Sequence, residues 1–133
     1  MQYLLDTSTV SLMLREAGPR FRKRLSRTPM QDLCISLVTE AELRYGLARR
    51  GHPAGLTQRV HELLLRLESL PWTSEVAQTY AVLRSDSDAA GISLGPLDMM
   101  IAAHARAVDA TLVSADRAFA RLHRLLRVQD WSD

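Results

Sequence analysis

Apolar residues fall along this chain in two alternating patterns. Short runs of four to six Leu, Ile and Val residues are separated by longer stretches in which apolar positions recur every three to four residues. The short runs predict strands at 2–5, 33–36, 67–72, 110–114 and 126–128. The longer stretches predict helices at 9–15, 19–27, 38–50, 55–66, 74–90, 97–108 and 117–124, punctuated by Gly18-Pro19, Gly51-His52-Pro53, Gly91 and Gly95-Pro96. Strands that each feed a helix describe an α/β fold, with a mainly parallel sheet of about five strands between two helical layers.

The chain has 133 residues, with 47% hydrophobic and 24% charged, which is ordinary for one compact domain spanning 1–133. No internal repeat, low-complexity run or linker divides it. The opening Met1-Gln2-Tyr3-Leu4-Leu5-Asp6 meets a charge too early for a secretory leader, and no apolar run approaches the ~20 residues of a membrane span. The expected compartment is the cytoplasm. Cys34, the one cysteine, lies in Leu33-Cys34-Ile35 and reads as a small buried hydrophobe.

Net charge is only +2, yet Lys23 is the one lysine among 17 basic residues. Arginine's planar fork suits bidentate contact with phosphate, so a nucleic-acid partner is permitted, though a solvated helical face explains any single arginine equally well. The most basic segment runs from Arg15 to Thr28 and holds Arg15, Arg20, Arg22, Lys23, Arg24 and Arg27. It reads as a surface arm, open to three uses: gripping phosphates, binding a protein partner, or simple solvation.

The carboxylates carry the sharper signal. In open parallel sheets the ligand crevice lies beyond the carboxyl ends of the strands. Asp6 ends the first strand, Glu42 lies one turn into the helix after the second, Asp98 opens the helix after Gly95-Pro96, and Asp116 follows Thr111-Leu112-Val113-Ser114. Each alone has a structural explanation. Asp6 or Thr7 suits an N-cap, Thr39-Glu40-Ala41-Glu42 has the spacing of a capping box, Asp98 suits the first turn after Pro96, and Asp116 suits a cap for the next helix. Together they place four acids at one end of the sheet. Carboxylates so crowded raise one another's pKa unless a cation compensates, and ligands made only of oxygen point to Mg²⁺ or Mn²⁺. Zinc is disfavoured, since His52, His61, His104 and His123 show no ligand-like pairing with Cys34; His104, two turns beyond Asp98, reads as a packing or surface residue.

Four blocks now stand out in order: Leu4-Leu5-Asp6-Thr7-Ser8; Ile35-Ser36-Leu37-Val38-Thr39-Glu40-Ala41-Glu42-Leu43-Arg44-Tyr45-Gly46; Leu94-Gly95-Pro96-Leu97-Asp98-Met99-Met100-Ile101-Ala102-Ala103-His104-Ala105; and Val113-Ser114-Ala115-Asp116-Arg117-Ala118-Phe119. In order and spacing the chain resembles the PIN domains, and in particular the VapC-type toxins of bacterial type II toxin–antitoxin pairs, nearly end to end. That resemblance implies a metal-dependent endoribonuclease that hydrolyses RNA phosphodiester bonds, in transfer RNA or another structured RNA, and is inhibited by a cognate VapB-type antitoxin. It implies a homodimer as well. By position, Asp6, Glu42 and Asp98 match the family's regular acids and Asp116 a more variable fourth, with Thr7 and Ser114 at supporting hydroxyl positions. Ser8 stands where relatives commonly have Asn, and Ser114 where they often have Thr. Asp6 and Asp98 are the expected metal ligands. Glu42 either binds metal or accepts a proton from the attacking water, and Asp116 acts on a second metal or through water. Two other classes compete: a PIN-fold module that binds RNA or protein without cleaving, and a phosphate-accepting signalling domain, which wants a lysine near a strand end where this chain has none. Trp131 is expected to pack against the sheet, and Trp72 with Leu63 to Leu67 to lie in either an interface or the core.

Overall fold

The computed structural model describes residues 1–132. Five parallel strands form one sheet in the order β3-β2-β1-β4-β5: β1 (Tyr3–Leu5), β2 (Leu33–Ser36), β3 (Glu68–Leu70), β4 (Thr111–Val113) and β5 (Val128–Gln129). Six α-helices connect them: α1 (Thr7–Leu14), α2 (Pro19–Arg27), α3 (Leu37–Arg49), α4 (Ala54–Arg66), α5 (Ser74–Ala89) and α6 (Pro96–Ala107). Two 3-10 segments, Met30–Asp32 and Arg117–Leu122, complete the described chain. Every predicted element is present within one or two residues at each end, except that the segment expected as a helix at 117–124 is 3-10 and β3 is half the predicted length.

The register explains why the central strands are apolar throughout. Leu4 lies beside Cys34 and Leu112, and their side chains join Leu83, Ile101, Ala102, Phe119 and Leu122 in a core on one face. Leu5 lies beside Ile35 and Val113, and these join Val10, Phe21, Leu43, Leu47 and Val60 on the other. A strand covered on both faces is apolar at most positions, and the polar residues at its ends, Ser36 and Thr111, are buried with their hydroxyls hydrogen-bonded. The result is a three-layer α/β/α arrangement, with α5, α6 and the 3-10 segment below the sheet and α1, α2 and α4 above it. Leu4, Leu5, Ile35 and Leu112 are all fully buried, each contributing roughly 1.5–3 kcal/mol of hydrophobic stabilisation. No helix of the described residues is long and apolar enough to cross a membrane.

The basic segment lies at the surface, as expected, with Arg15, Arg20, Arg22, Lys23, Arg24 and Arg27 all exposed. Phe21 is 1% exposed in the upper core, so α2 is anchored to the sheet and displays its basic residues from a fixed position. Trp131 is buried on the same side, edge-on to Tyr3 at 5.1 Å. Trp72 is half-buried against the lower core, donating to the Met100 carbonyl at 3.1 Å. Leu67 is core, whereas Leu65 is exposed. Cys34 is fully buried, and burial, then the Glu68 charge, pushes its thiol up to about 12.

Candidate active site

Strand order reverses between β1 and β4: from β1 the chain builds outward through β2 and β3, then returns to start β4 on the other side. Such a switch point opens a crevice beyond the carboxyl ends of the two strands. Asp6 and Ser114 are the first residues past those ends, and the Ser114 hydroxyl donates to Asp6 Oδ2 at 2.7 Å.

Asp6 is only 3% exposed and is held from several directions. Its Oδ1 accepts from the Thr9 amide at 2.9 Å, making Asp6 the N-cap of α1. The Ser8 hydroxyl lies 2.8 Å from Oδ1 and 2.9 Å from Oδ2. Ser8 Oγ accepts from the Ala115 amide at 3.1 Å, and Ser114 Oγ from the Asp116 amide at 3.0 Å. Thr9 also donates to the Val113 carbonyl at 2.9 Å, tying α1 to β4. The Asp6 carboxylate is thus oriented from α1, from Ser8 and from the residue that follows β4 at once.

Glu42 reaches the same crevice from α3 and accepts from the Thr7 hydroxyl at 2.6 Å; Thr7 Oγ1 also lies 3.4 Å from Thr39 Oγ1. The capping box anticipated at Thr39 to Glu42 does not form. Strand β2 runs directly into α3, so Ser36 is the N-cap, through the Val38 amide at 3.1 Å, and Glu42 is left free to turn inward. Asp98 is the third residue of α6, after Pro96, and its carboxylate accepts no hydrogen bond among the described residues. Gly95 lies against it, where an added Cβ would sit 3.8 Å from Asp98 Oδ2. Burial raises the Asp98 pKa first, followed by the charges of Glu42, Asp116 and Asp6. All three other acids are thus near enough to act on this one. Asp116 is exposed and caps the 3-10 segment through the Ala118 amide at 2.9 Å.

The arrangement brings the four sequence-predicted acids to one end of the sheet, two of them serving as helix caps at the same time. Among the described residues, no group of three or more His, Cys, Asp or Glu side chains is arranged to hold a metal ion. His104 lies outside the crevice: buried on α6, it pairs through Nδ1 with Ser36 Oγ at 2.7 Å, and burial lowers its pKa. Sequence reasoning did not find the roles of Ser8, Thr9 and Ser36. Asp-x-Ser and Asp-x-x-Thr spacings carry a local signal, but the link from Thr9 to Val113 spans 104 residues and has none.

Comparison with known proteins agrees with this geometry. A profile of the PIN domain matches residues 3–125. The chain is 29% identical over 132 residues, 98% of each chain, to the tRNA(fMet)-specific endonuclease VapC of Salmonella typhimurium. It is 32% identical over 120 residues to Toxin FitB of Neisseria gonorrhoeae, covering 85% of this chain and 86% of that one. Among solved structures, VapBC2 from Rickettsia felis, crystallised bound to a DNA fragment from its promoter, superposes with a TM-score of 0.88 at 26% identity, covering 99% of this chain and 100% of that one.

Proposed function

Because the chain belongs to the PIN-domain family, we propose that it is an endoribonuclease toxin of a type II toxin–antitoxin pair, hydrolysing phosphodiester bonds in RNA and held inactive by a cognate antitoxin. Asp6, Glu42, Asp98 and Asp116 form its catalytic cluster. The observation that carries the assignment is the convergence of the acids at the switch point: Asp6 lies just past β1, Glu42 is reached by Thr7 of α1, and the Asp98 carboxyl is pushed up first by burial and then by the charges of Glu42, Asp116 and Asp6. The similarity to a tRNA(fMet)-specific endonuclease favours transfer RNA as the substrate.

The donor chemistry fits a hard divalent cation, Mg²⁺ or in its place Mn²⁺. All four side chains offer oxygen, and Asp98 has no hydrogen-bond partner competing for its lone pairs. Asp6 and Asp98 would hold the ion, which supplies Lewis acidity, lowering the pKa of a water and offsetting charge on the phosphate. The protein's own residues do the rest. Ser8, Ser114 and the Thr9 amide fix the orientation of the Asp6 carboxylate. Glu42, held by Thr7, would either bind the ion or accept the proton of the attacking water. Asp116, exposed at the rim, orients water or supports a second ion.

The test is cleavage of total bacterial RNA by purified, antitoxin-free protein with Mg²⁺, Mn²⁺ or EDTA, run beside Asp98→Asn, with cut sites mapped by sequencing. Metal-dependent cuts lost in Asp98→Asn are the expected result. Stable RNA binding without cuts under any divalent metal would replace the nuclease with a non-cleaving binding module.

A further inference from the structure

The largest concentration of positive charge lies beside the acids, not among them. On α2, Arg20, Lys23, Arg24 and Arg27 occupy positions i, i+3, i+4 and i+7, which is one face of the helix. They line an open cleft of about 420 Å³ whose other wall is Gln129, Asp130 and Trp131, at the carboxyl end of β5. The cations spread over about 10 Å at 1.5 Å per residue. Such a row works against the helix. Each like-charge pair at i,i+4 destabilises it by about 0.2–0.5 kcal/mol, Arg20 opposes the dipole in the first turn, and α2 contains no acid to offset either effect. Among the described residues, Lys23, Arg24 and Arg27 make no ion pair. The Arg24 guanidinium lies 4.9 Å from the Trp131 ring centroid and within 3.3 Å of the Tyr3 hydroxyl and Gln129 Oε1, so its head is held in place along the cleft.

The cleft also leads somewhere. Asp130, on its wall, also lines a second pocket with Ser114, Asp116 and Arg117. The basic row is therefore continuous with the Ser114–Asp116 side of the acid cluster, at the carboxyl end of the sheet. We propose that the α2 cleft is a docking track for the phosphate backbone of the RNA substrate, which runs from it past Asp130 to the acid cluster. This rests on the endoribonuclease reading above. A row of cations suits a repeating polyanion better than a single phosphate, which would engage only one or two of them. An apolar protein segment would need an apolar anchor pocket; the cleft's one apolar wall, Trp131, is 5% exposed and lies against Arg24. Phosphate recognition needs only the charge, and it positions the strand without reading its sequence.

The test uses the full chain carrying Asp98→Asn to prevent cleavage, with end-labelled initiator transfer RNA as probe. Binding is titrated from about 50 to 200 mM salt with and without Lys23→Gln/Arg27→Gln, both at exposed positions. Removing two phosphate contacts should reduce the slope of log K against log salt by about 1.4–1.8, from about 0.7–0.9 per contact. The thermal midpoint should shift by no more than about 2 °C, the scale of one like-charge pair, and an Arg49→Gln/Arg50→Gln control should leave the slope unchanged. An unaltered slope in the α2 variant, or an equal drop in the control, overturns the proposal. An unaltered slope with loss of binding to poly-glutamate overturns it too, and assigns the cleft to an acidic protein segment. Wild-type cleavage with an unchanged KM in Lys23→Gln/Arg27→Gln removes the track alone, whereas a wild-type chain that neither binds nor cuts RNA removes the nuclease reading with it.

Discussion

Ser114→Ala probes how Asp6 is held. The Ser114 hydroxyl, 2% exposed, donates to Asp6 Oδ2 at 2.7 Å and accepts from the Asp116 amide at 3.0 Å. A hydrogen bond to a buried charge contributes about 1.5–3 kcal/mol, and the neutral amide bond about 0.5–1.5 kcal/mol. Ser8 still reaches both Asp6 oxygens, so part of the loss is recovered locally, and a net cost of about 2–3 kcal/mol follows. For a chain of this length each kcal/mol moves the melting midpoint by about 4 °C, which gives a drop of about 8–12 °C. A group that orients a metal-binding carboxylate also sustains about 10–100-fold of metal affinity or activity. Ser114→Thr retains the donor and should restore both properties. Melting curves with EDTA and with Mg²⁺, alongside initial cleavage rates, measure the effects. A Ser114→Ala protein that melts within 2 °C of wild type, taken as about 0.5 kcal/mol, and cleaves at the same rate would refute the claim that Asp6 is fixed from β4.

Asp98 has a folded-state pKa above its unfolded value, so the native chain binds that proton more tightly and metal-free stability falls as pH rises through the folded pKa. In EDTA, Asp98→Asn should therefore melt higher than wild type at neutral pH and converge with it in acid, while losing stabilisation by Mg²⁺; a variant less stable than wild type at neutral pH contradicts the crowding. His104 is shifted the other way: buried and neutral, it favours folding above the unfolded histidine pKa of about 6.5, and that contribution fades as pH falls below it. A His104→Gln chain should show a flatter Tm profile between about pH 7 and 5, and an identical profile would remove His104 as its source. Cys34, with its thiol near 12, should resist alkylation at pH 8 in the native state and react on unfolding; stoichiometric native labelling would contradict its burial.

Much of the fold was legible because the central strands are buried on both faces: Leu33-Cys34-Ile35 and Thr111-Leu112-Val113 offer no alternating polar residue to confuse the pattern. The edges were harder. Glu68-Ser69-Leu70 has one face toward solvent, and β5 is two residues long, too short for periodicity to register. The acids were legible because each follows a strand or opens a helix, where topology alone brings them together. Their hydroxyl partners were only partly legible. Thr7 and Ser114 stood out through the family resemblance, but pairings such as Thr7 with Glu42 and Ser114 with Asp6 are set by strand order rather than by neighbours in sequence. The basic segment was visible as composition, and its anchoring was not, since one phenylalanine among five charges gives little warning that it fixes the helix.

The pairing of Asp6 with Ser114 joins residues 108 positions apart, and β1 has no second neighbour until β4 exists. At ribosomal speeds of about 5–20 residues per second, roughly 5–20 seconds separate synthesis of the first carboxylate from synthesis of the hydroxyl that orients it. A nascent chain thus carries Asp6 without the hydroxyl that orients it, and the crevice between β1 and β4 cannot close until translation is almost finished.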